Sequence, residues 1–243
     1  MTLGFGGIEF SPATIAVVAT EAPNTSPAVQ DYAKAIYQLE RRGEAAVTNN
    51  ALAERLGVTP ASASGMVRRL EALGYVSHEP YHGVRLTGAG ERVALEVLRH
   101  HRLLELYLAE TLGVPWDRVH AEAEVLEHVL SEDLEEAIAA KLGDPSHDPH
   151  GDPIPTRDGR VEEAETVSLD SLLPGARARF VRVSDSNPEM LRYLAARGIG
   201  PGMALEVVSR EPFEGPLLVR FESAETHPLG VGLTRAMRVV RIL

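Results

Sequence analysis

The 243-residue chain has no cysteine. That excludes a disulfide framework, thiolate metal ligands and a cysteine nucleophile. No apolar run reaches the roughly 20 residues that a membrane-spanning helix needs. No Lys or Arg precedes Lys34, so the apolar run Ile15-Ala16-Val17-Val18-Ala19 lacks the basic flank of a secretory signal, and a cytoplasmic protein is expected. Cationic residues are also in deficit. There are 24 Lys and Arg against 35 Asp and Glu, a net charge of -11, which weighs against nucleic-acid binding by the chain as a whole. A local basic face remains open, and a bound divalent cation would offset part of the charge.

What is present is ordinary for globular domains: 44% of residues are apolar and 24% charged, in a length that allows one large domain or two to three small ones. Residues 1–26 are rich in Gly, Pro, Ser, Thr and Ala without an amphipathic period, and read as a disordered extension. From Ser26-Pro27 the pattern is helical, with Val29, Tyr32, Ala33, Ile36, Tyr37 and Leu39 on one face, Asp31 and Lys34 on the other, and an end near Gly43. Thr48 caps a second helix, Asn49 to Leu56, which Gly57 stops. Thr59-Pro60 opens a third, with Ala63, Met66, Val67 and Leu70 as its apolar stripe, ending at Leu73-Gly74. Two short helices joined by a glycine turn form a helix-turn-helix pattern. Tyr75 to Glu79, a turn at Pro80 to Gly83, and Val84 to Thr87 add a two-stranded wing.

In such a module the first residues of the third helix meet base edges, here Thr59, Pro60, Ala61, Ser62 and Ser64. Small side chains permit close approach, and Ala can meet a thymine methyl. Arg68, Arg69 and the wing's Arg85 are phosphate candidates, and His78 and His82 lie where phosphate would pass. Winged helices also serve as protein-interaction modules.

The next helix runs to about Leu112 and carries His100, His101 and Glu105. Pro115 opens another, which holds Val119-His120-Ala121-Glu122-Ala123-Glu124-Val125-Leu126-Glu127-His128. Helical spacing puts Glu124, Glu127 and His128 together, with His120 a turn earlier. Two like charges about 4 Å apart repel by roughly 4 kcal/mol at an effective dielectric near 20. The stripe therefore either faces water or carries a cation. Ser131 caps a further helix ending at Leu142-Gly143. Residues 143–165, rich in Pro, Gly, Asp and His, read as a connector, with His147 and His150 solvated; His100 reads as surface. Beyond Val167 the period shortens. Ala178 to Val183, Ala204 to Val208, Leu217 to Phe221 and Met237 to Ile242 read as strands of a small β-barrel, with one helix from Pro188 to Arg197.

A winged helix-turn-helix, a His/Glu helix pair and a small terminal barrel together resemble the diphtheria-toxin-repressor family of metal-dependent bacterial transcription regulators. The resemblance rests on Gln30-Asp31-Tyr32 with Ile36-Tyr37, Thr59 to Ser64, His101-Arg102-Leu103-Leu104-Glu105, His120 to His128, Asp148 to Pro155, and Asp185 to Met190. It implies a mostly α fold with a small β part. A winged helix at 27–92, a helical dimerisation and metal-binding domain at 93–143, a linker at 144–166 and an SH3-like, FeoA-like barrel at 167–243 would make it up.

The resemblance further implies a primary metal shell of Asp31, Glu124, Glu127 and His128. Iron-responsive members carry Met and Cys where this chain has Asp31 and Glu124; harder oxygen ligands suit Mn(II) better. The chain thus looks like the manganese-responsive branch, with Fe(II), Co(II) and Zn(II) open. Some manganese members use a Glu at the position of Lys34 in a two-metal cluster, which a protonated lysine cannot do. An ancillary site of His101, Glu105 and His120 is implied instead, completed by Asp185 or Glu189 of the barrel.

By this reading the protein is a homodimeric repressor of metal-homeostasis genes that binds a palindromic double-stranded operator when metal is plentiful. Surplus apolar surface on Leu103, Leu104, Leu106, Leu108, Leu112 and Val114 would form the dimer contact. Without metal, the carboxylates repel and the domains move freely. Three rivals remain: an iron-dependent repressor of the same family, a winged-helix repressor sensing an organic ligand, and a metallohydrolase. The last is disfavoured because no separate nucleophile or base accompanies the ligands.

Overall fold

A computed structural model describes residues 25–41, 47–79, 83–222 and 225–242, with the side chains of His78 and Glu79 outside the description. The expectations for residues 1–24, for the helix end near Gly43, for the wing turn at 80–82 and for the side chains of His78 and His82 therefore lie outside the described residues.

Three helices and a hairpin form the N-terminal unit: α1 (Pro27–Arg41), α2 (Asn49–Leu56), α3 (Pro60–Ala72), β1 (Val76–Glu79) and β2 (Gly83–Leu86). Local chemistry sets the ends. Thr48 and Thr59 hydroxyls accept from the Ala51 and Ser62 amides, 3.1 and 3.2 Å away, and Gly57 closes α2 at φ 64°. Ile36, Leu52, Ala63, Val67, Leu70 and Val84 fill one core beneath. Val47 exchanges two backbone hydrogen bonds with Val84, which pins the chain entering α2 to the hairpin.

α4 (Gly88–Glu110) is the spine. At 1.5 Å per residue it is about 34 Å long. Val93, Ala94 and Leu98 pack on Ala33 and Tyr37 of α1. Leu103, Leu104 and Leu106 pack on Ala123, Ile138 and Ala139 of α5 (Val119–Leu126) and α6 (Glu132–Leu142). The division expected at 92/93 thus falls inside one continuous helix. The leucines singled out for dimerisation are otherwise engaged: Leu103, Leu104, Leu106 and Leu108 are buried within this chain. The exposed large apolar residues here are Leu112, Val125, Leu126, Val129 and Leu134.

The helix expected from Pro115 through His128 is shorter. It begins at Val119 and ends at Leu126, leaving Glu127 and His128 in the following turn. Nor is the Pro-rich connector a slack tether. Asp148, His150, Gly151, Pro153, Ile154 and Pro155 are all buried. Asp148 Oδ1 accepts from the amides of His150 (2.8 Å) and Asp152 (2.9 Å), an Asx turn that folds the loop on itself. Arg99 and Arg102 of α4 donate to the Pro155 and Pro153 carbonyls. On the other side, the Val183 amide donates to the His150 carbonyl at 3.0 Å, so the loop is clamped between α4 and the C-terminal unit.

That unit is a six-stranded antiparallel sheet in the order β3-β8-β4-β5-β6-β7: β3 (Val167–Ser168), β4 (Arg177–Val183), β5 (Ala204–Arg210), β6 (Leu217–Phe221), β7 (Thr226–Leu229) and β8 (Met237–Ile242). Strands β3 and β7 and the short helix α8 (Val231–Ala236) join the elements read from periodicity, and α7 (Pro188–Ala195) lies where a helix was expected. Alternate residues, such as Leu217, Val219 and Phe221, face a single core with Phe180, Leu205 and Val239. Trp116, just before α5, donates its indole N–H to the Leu191 carbonyl of α7 at 3.1 Å and so joins the helical unit to the sheet.

Gly151 sits at φ 89°, and a Cβ there would lie 1.9 Å from the Val181 carbonyl oxygen. Gly151→Ala is expected to destabilise the protein by about 2 kcal/mol or more, read as a lower urea midpoint. An unchanged midpoint would show that the loop is not clamped as described.

Candidate metal centre

Among the described residues four overlapping groups of donors run from α1 to the β domain, one of them His101, Glu124 and Glu127. At the first, His128 Nε2 lies 3.0 Å from Asp31 Oδ1 and 3.5 Å from Glu127 Oε1, while His128 Nδ1 is 2.7 Å from Gln30 Oε1. One ligand atom from each of Asp31, Glu127 and His128 falls within 4.8 Å of the others. Glu124 is outside this group and sits with His101 and Glu127 instead: its Oε1 lies 3.8 Å from His101 Nδ1 and 2.8 Å from Lys34 Nζ, which also holds Glu127 Oε1 at 2.5 Å. Lys34 was placed on the open face of α1, yet it is buried. Its ammonium is a tethered cation between the two glutamates. The charge repulsion expected to free the domains is therefore offset in part by Lys34 itself.

Glu127, 1% exposed, passes to a further cluster through His101, whose Nδ1 is 2.5 Å from Glu127 Oε2. The other ring nitrogen, Nε2, stands 3.0 Å from both Glu105 Oε1 and His120 Nδ1. His120 Nδ1 is in turn 3.2 Å from Glu105 Oε1 and 3.2 Å from Asp185 Oδ2. His101, Glu105, His120 and Asp185 can thus hold one ion between them. Glu189, the other barrel residue expected here, is exposed in the first turn of α7 and outside every donor cluster among the described residues. The last group, Glu105, Asp148 and His150, lies beyond.

His100, read as surface, is buried: Nε2 bonds Glu135 at 2.9 Å and Nδ1 faces the Glu127 carbonyl at 3.1 Å, which fixes the turn carrying Glu127 and His128. His150, read as solvated, is fully buried. The sequence signal for both was available in part. A polar residue opposite a ligand on the same helix, or in an Asp-Pro-His-Gly-Asp-Pro turn, is a candidate for burial once partners exist.

The electrostatics are those of a crowded site holding protons. Burial opposes charging of His101, but Glu105 and Glu127 outweigh it and raise its pKa to about 9. Hydrogen bonds to the Asp185 and Glu105 carboxylates, opposed by burial, raise His120 to about 10. Burial raises Asp31, with His128 and Lys34 pulling it back. Glu105 resists burial through its histidines and stays well below the usual carboxylate range. Carboxylates and imidazoles without sulfur, converging from four elements, are a donor set that fits a hard or borderline divalent cation.

On the N-terminal unit, Thr59, Pro60, Ala61, Ser62, Arg68, Arg69 and Arg85 are exposed, and Ser64 is half-buried, accepting from Asn49 Nδ2 at 2.9 Å. The letters His-Glu-x-x-His do occur, at 78–82, but His78 and Glu79 lie on strand β1. The hydrolase motif needs both imidazoles on one helical face.

Comparison with known proteins meets this geometry. Residues 24–84 match the iron dependent repressor N-terminal DNA binding domain, 87–156 the iron dependent repressor metal binding and dimerisation domain, and 167–241 the FeoA domain. The diphtheria toxin repressor of Corynebacterium diphtheriae is 33% identical over 163 residues, 67% of this chain and 69% of that one. The chain belongs to the iron-dependent repressor family. It spans about half the length (54%) of the iron-dependent repressor IdeR of Mycobacterium tuberculosis, 39% identical over 124 residues and 51% of this chain. A solved manganese-dependent transcriptional repressor, in complex with manganese, aligns with a TM-score of 0.82 at 42% identity, covering 88% of this chain and all of that one. Among the described residues no helix is long and apolar enough to cross a membrane.

The histidine shifts predict a pH dependence. A group whose folded pKa is raised stabilises fully below its unfolded value and loses that stabilisation as pH rises to the folded value. For His101 the window runs from about 6.5 to about 9. The chelator-treated protein is therefore expected to lose thermal stability from pH 6.5 to 9, and His101→Gln to flatten that slope. A melting temperature rising across this window would contradict the protonated clusters.

Proposed function

We propose that the chain is a metal-dependent, DNA-binding transcriptional repressor, with Mn(II) as its co-repressor, that controls metal-homeostasis genes from the cytoplasm and is not an enzyme. The observation that carries this is the first cluster: Asp31 stands on α1 of the DNA-binding unit, while Glu127 and His128 follow α5 of the helical unit, yet one donor atom from each lies within 4.8 Å of the others. Oxygen-rich ligands without Cys or Met favour Mn(II) over softer ions, although relatives are named for both iron and manganese.

A divalent cation supplies the charge that lets three carboxylates and an imidazole converge. Asp31, Glu124, Glu127 and His128 would hold it; His101, Glu105, His120 and Asp185 would hold a second. Asp31 then ties α1, and with it α2 and α3, to the helical unit. His100 keeps the Glu127–His128 turn in place. Lys34 competes for Glu124 and Glu127, so it sets how much metal is needed. In a homodimer joined through the exposed Leu112, Val125, Val129 and Leu134, the angle of α1 sets the spacing of the two α3 helices. That spacing must match palindromic half-sites about 34 Å apart. Thr59, Pro60, Ala61, Ser62 and Ser64 would read bases, and Arg68, Arg69 and Arg85 would meet phosphate. Moving such an equilibrium from 1:99 to 99:1 takes about 5.5 kcal/mol of differential metal affinity.

The test is fluorescence anisotropy on DNA selected by the wild-type protein with Mn(II). Wild type is expected to bind with Mn(II) and release with chelator. Asp31→Ala is expected to keep its circular dichroism spectrum and lose at least tenfold in metal-dependent affinity. DNA binding that ignores chelation would overturn the reading in favour of an organic-ligand sensor.

A further inference from the structure

The β domain reverses the charge of the rest of the chain. Residues 167–243 carry ten Arg and no Lys against eight Asp and Glu, in a chain of net charge -11. Half of those arginines lie on one antiparallel pair, β4 and β8: Arg177, Arg179, Arg182, Arg238 and Arg241. Alternation sends Ala178, Phe180, Met237 and Val239 into the core. Arg177 and Arg179 therefore stand exposed on the outer face, with Arg238 half-buried on the same face and Arg241 exposed near the end of β8. Arg182 is placed directly opposite Arg238. Like charges facing each other across a ladder destabilise a sheet.

The protein neutralises little of this charge. Arg182 has Asp152 at 3.2 Å. Arg238 donates to the Thr166 hydroxyl and carbonyl, and Arg179 to the Gly202 carbonyl, all uncharged groups. Among the described residues Arg177, Arg179, Arg238 and Arg241 make no ion pair. Within the six strands the sole carboxylate is Glu206, which lies across from Arg177 in register but is held by Arg220 at 3.2 Å. The basic surface also continues onto the DNA-binding unit. A cleft of about 940 Å³ lies between them, and its lining includes Arg55 of α2 as well as Arg235 and Arg238. Arg55 is exposed and donates to Gln38, with no ion pair among the described residues. The carboxylates of the cleft are engaged: Glu105 and Asp185 by His120, Asp148 by Arg102, Asp152 by Arg182 and Glu163 by Arg41.

We propose that the outer face of β4 and β8 binds the phosphate backbone of DNA flanking the operator, with Arg177 and Arg179 each meeting a phosphate and Arg238 and Arg241 adding to the field. The inference rests on the repressor reading for the presence of DNA. Residues two apart on a strand are about 6.5 Å apart, room for two separate phosphates. A guanidinium presents a planar fork that matches phosphate oxygens, which a lysine does not. An acidic protein surface would also meet arginine, but DNA is the polyanion that α2 already approaches, because the first helix of a helix-turn-helix crosses the DNA backbone. Such contacts carry no base information. They lengthen the footprint and steepen the salt dependence, by about 0.9 in the log–log slope for each phosphate neutralised.

The test compares two duplexes by fluorescence anisotropy, using the full-length protein with Mn(II) over a range of salt concentrations. One is the shortest selected duplex that wild type binds; the other extends it by about one turn, 10 base pairs, of unrelated sequence at each end. Wild type is expected to bind the longer duplex at least tenfold more tightly at low salt, with a slope steeper by about 2 per protomer. The double variant Arg177→Gln, Arg179→Gln is expected to bind the short duplex as wild type does and to lose the gain on the long one. Equal wild-type affinity and slope for both duplexes overturns the inference, whatever the variant does, and leaves the repressor reading standing. A variant that keeps the gain overturns it too. So does a variant whose DNA binding is unchanged while light scattering shows a smaller assembly, since the face would then meet protein. Wild type binding neither duplex with Mn(II) overturns the repressor reading and this inference with it.

Discussion

A single buried carboxylate constrains this molecule. Glu127 has almost no access to solvent, and a charge taken out of water costs several kcal/mol unless partners surround it. Its partners come from separate elements: Lys34 from α1 and His101 from α4, with His128 beside it in the same turn. Satisfying one carboxylate therefore brings the DNA-binding unit, the spine and the turn after α5 to one place. His101 extends the constraint, since its second nitrogen belongs to the next cluster. Glu105 extends it again to the connector loop, and Asp185 to the β domain.

Such a chain of donors ties ligand chemistry to shape. Each link crosses between two bodies, so whatever changes the charge at one link changes the contact between them. Lys34 is one such charge. Its ammonium bridges Glu124 and Glu127. On the proposed reading, a diffusible cation would compete with this tethered one, a milder change than release from pure repulsion. A buried pair of this kind stabilises little by itself; its use is to define which arrangement competes.

The β domain follows the same economy. It meets the helical unit through the Trp116 indole, the His150 carbonyl and the Asp185 carboxylate, three polar contacts around a small loop. Gly151 permits the close approach, because any side chain there would strike the Val181 carbonyl.

How much of this was legible in the sequence depends on the range of the interaction. Caps, turns and apolar periods act over a few residues. Thr48, Gly57, Thr59, Ser131 and Gly143 therefore marked their helix ends, and the two-residue period marked β4, β5, β6 and β8. Strand β3, only two residues long, and β7, with Pro228 inside it, carried too little pattern. The i, i+4 pair His101 and Glu105 was likewise readable, because a helix alone puts both on one face. Asp31 with Glu127 and His128 was readable only through a family pattern, since nearly a hundred residues separate them. Tertiary structure alone decided that Lys34 turns inward, that Glu127 is buried while Glu124 stays half open, that Asp185 and not Glu189 reaches His120, and that His150 is sealed against Trp116. Those outcomes depend on which surfaces meet, and a charge's environment is set by neighbours distant in sequence.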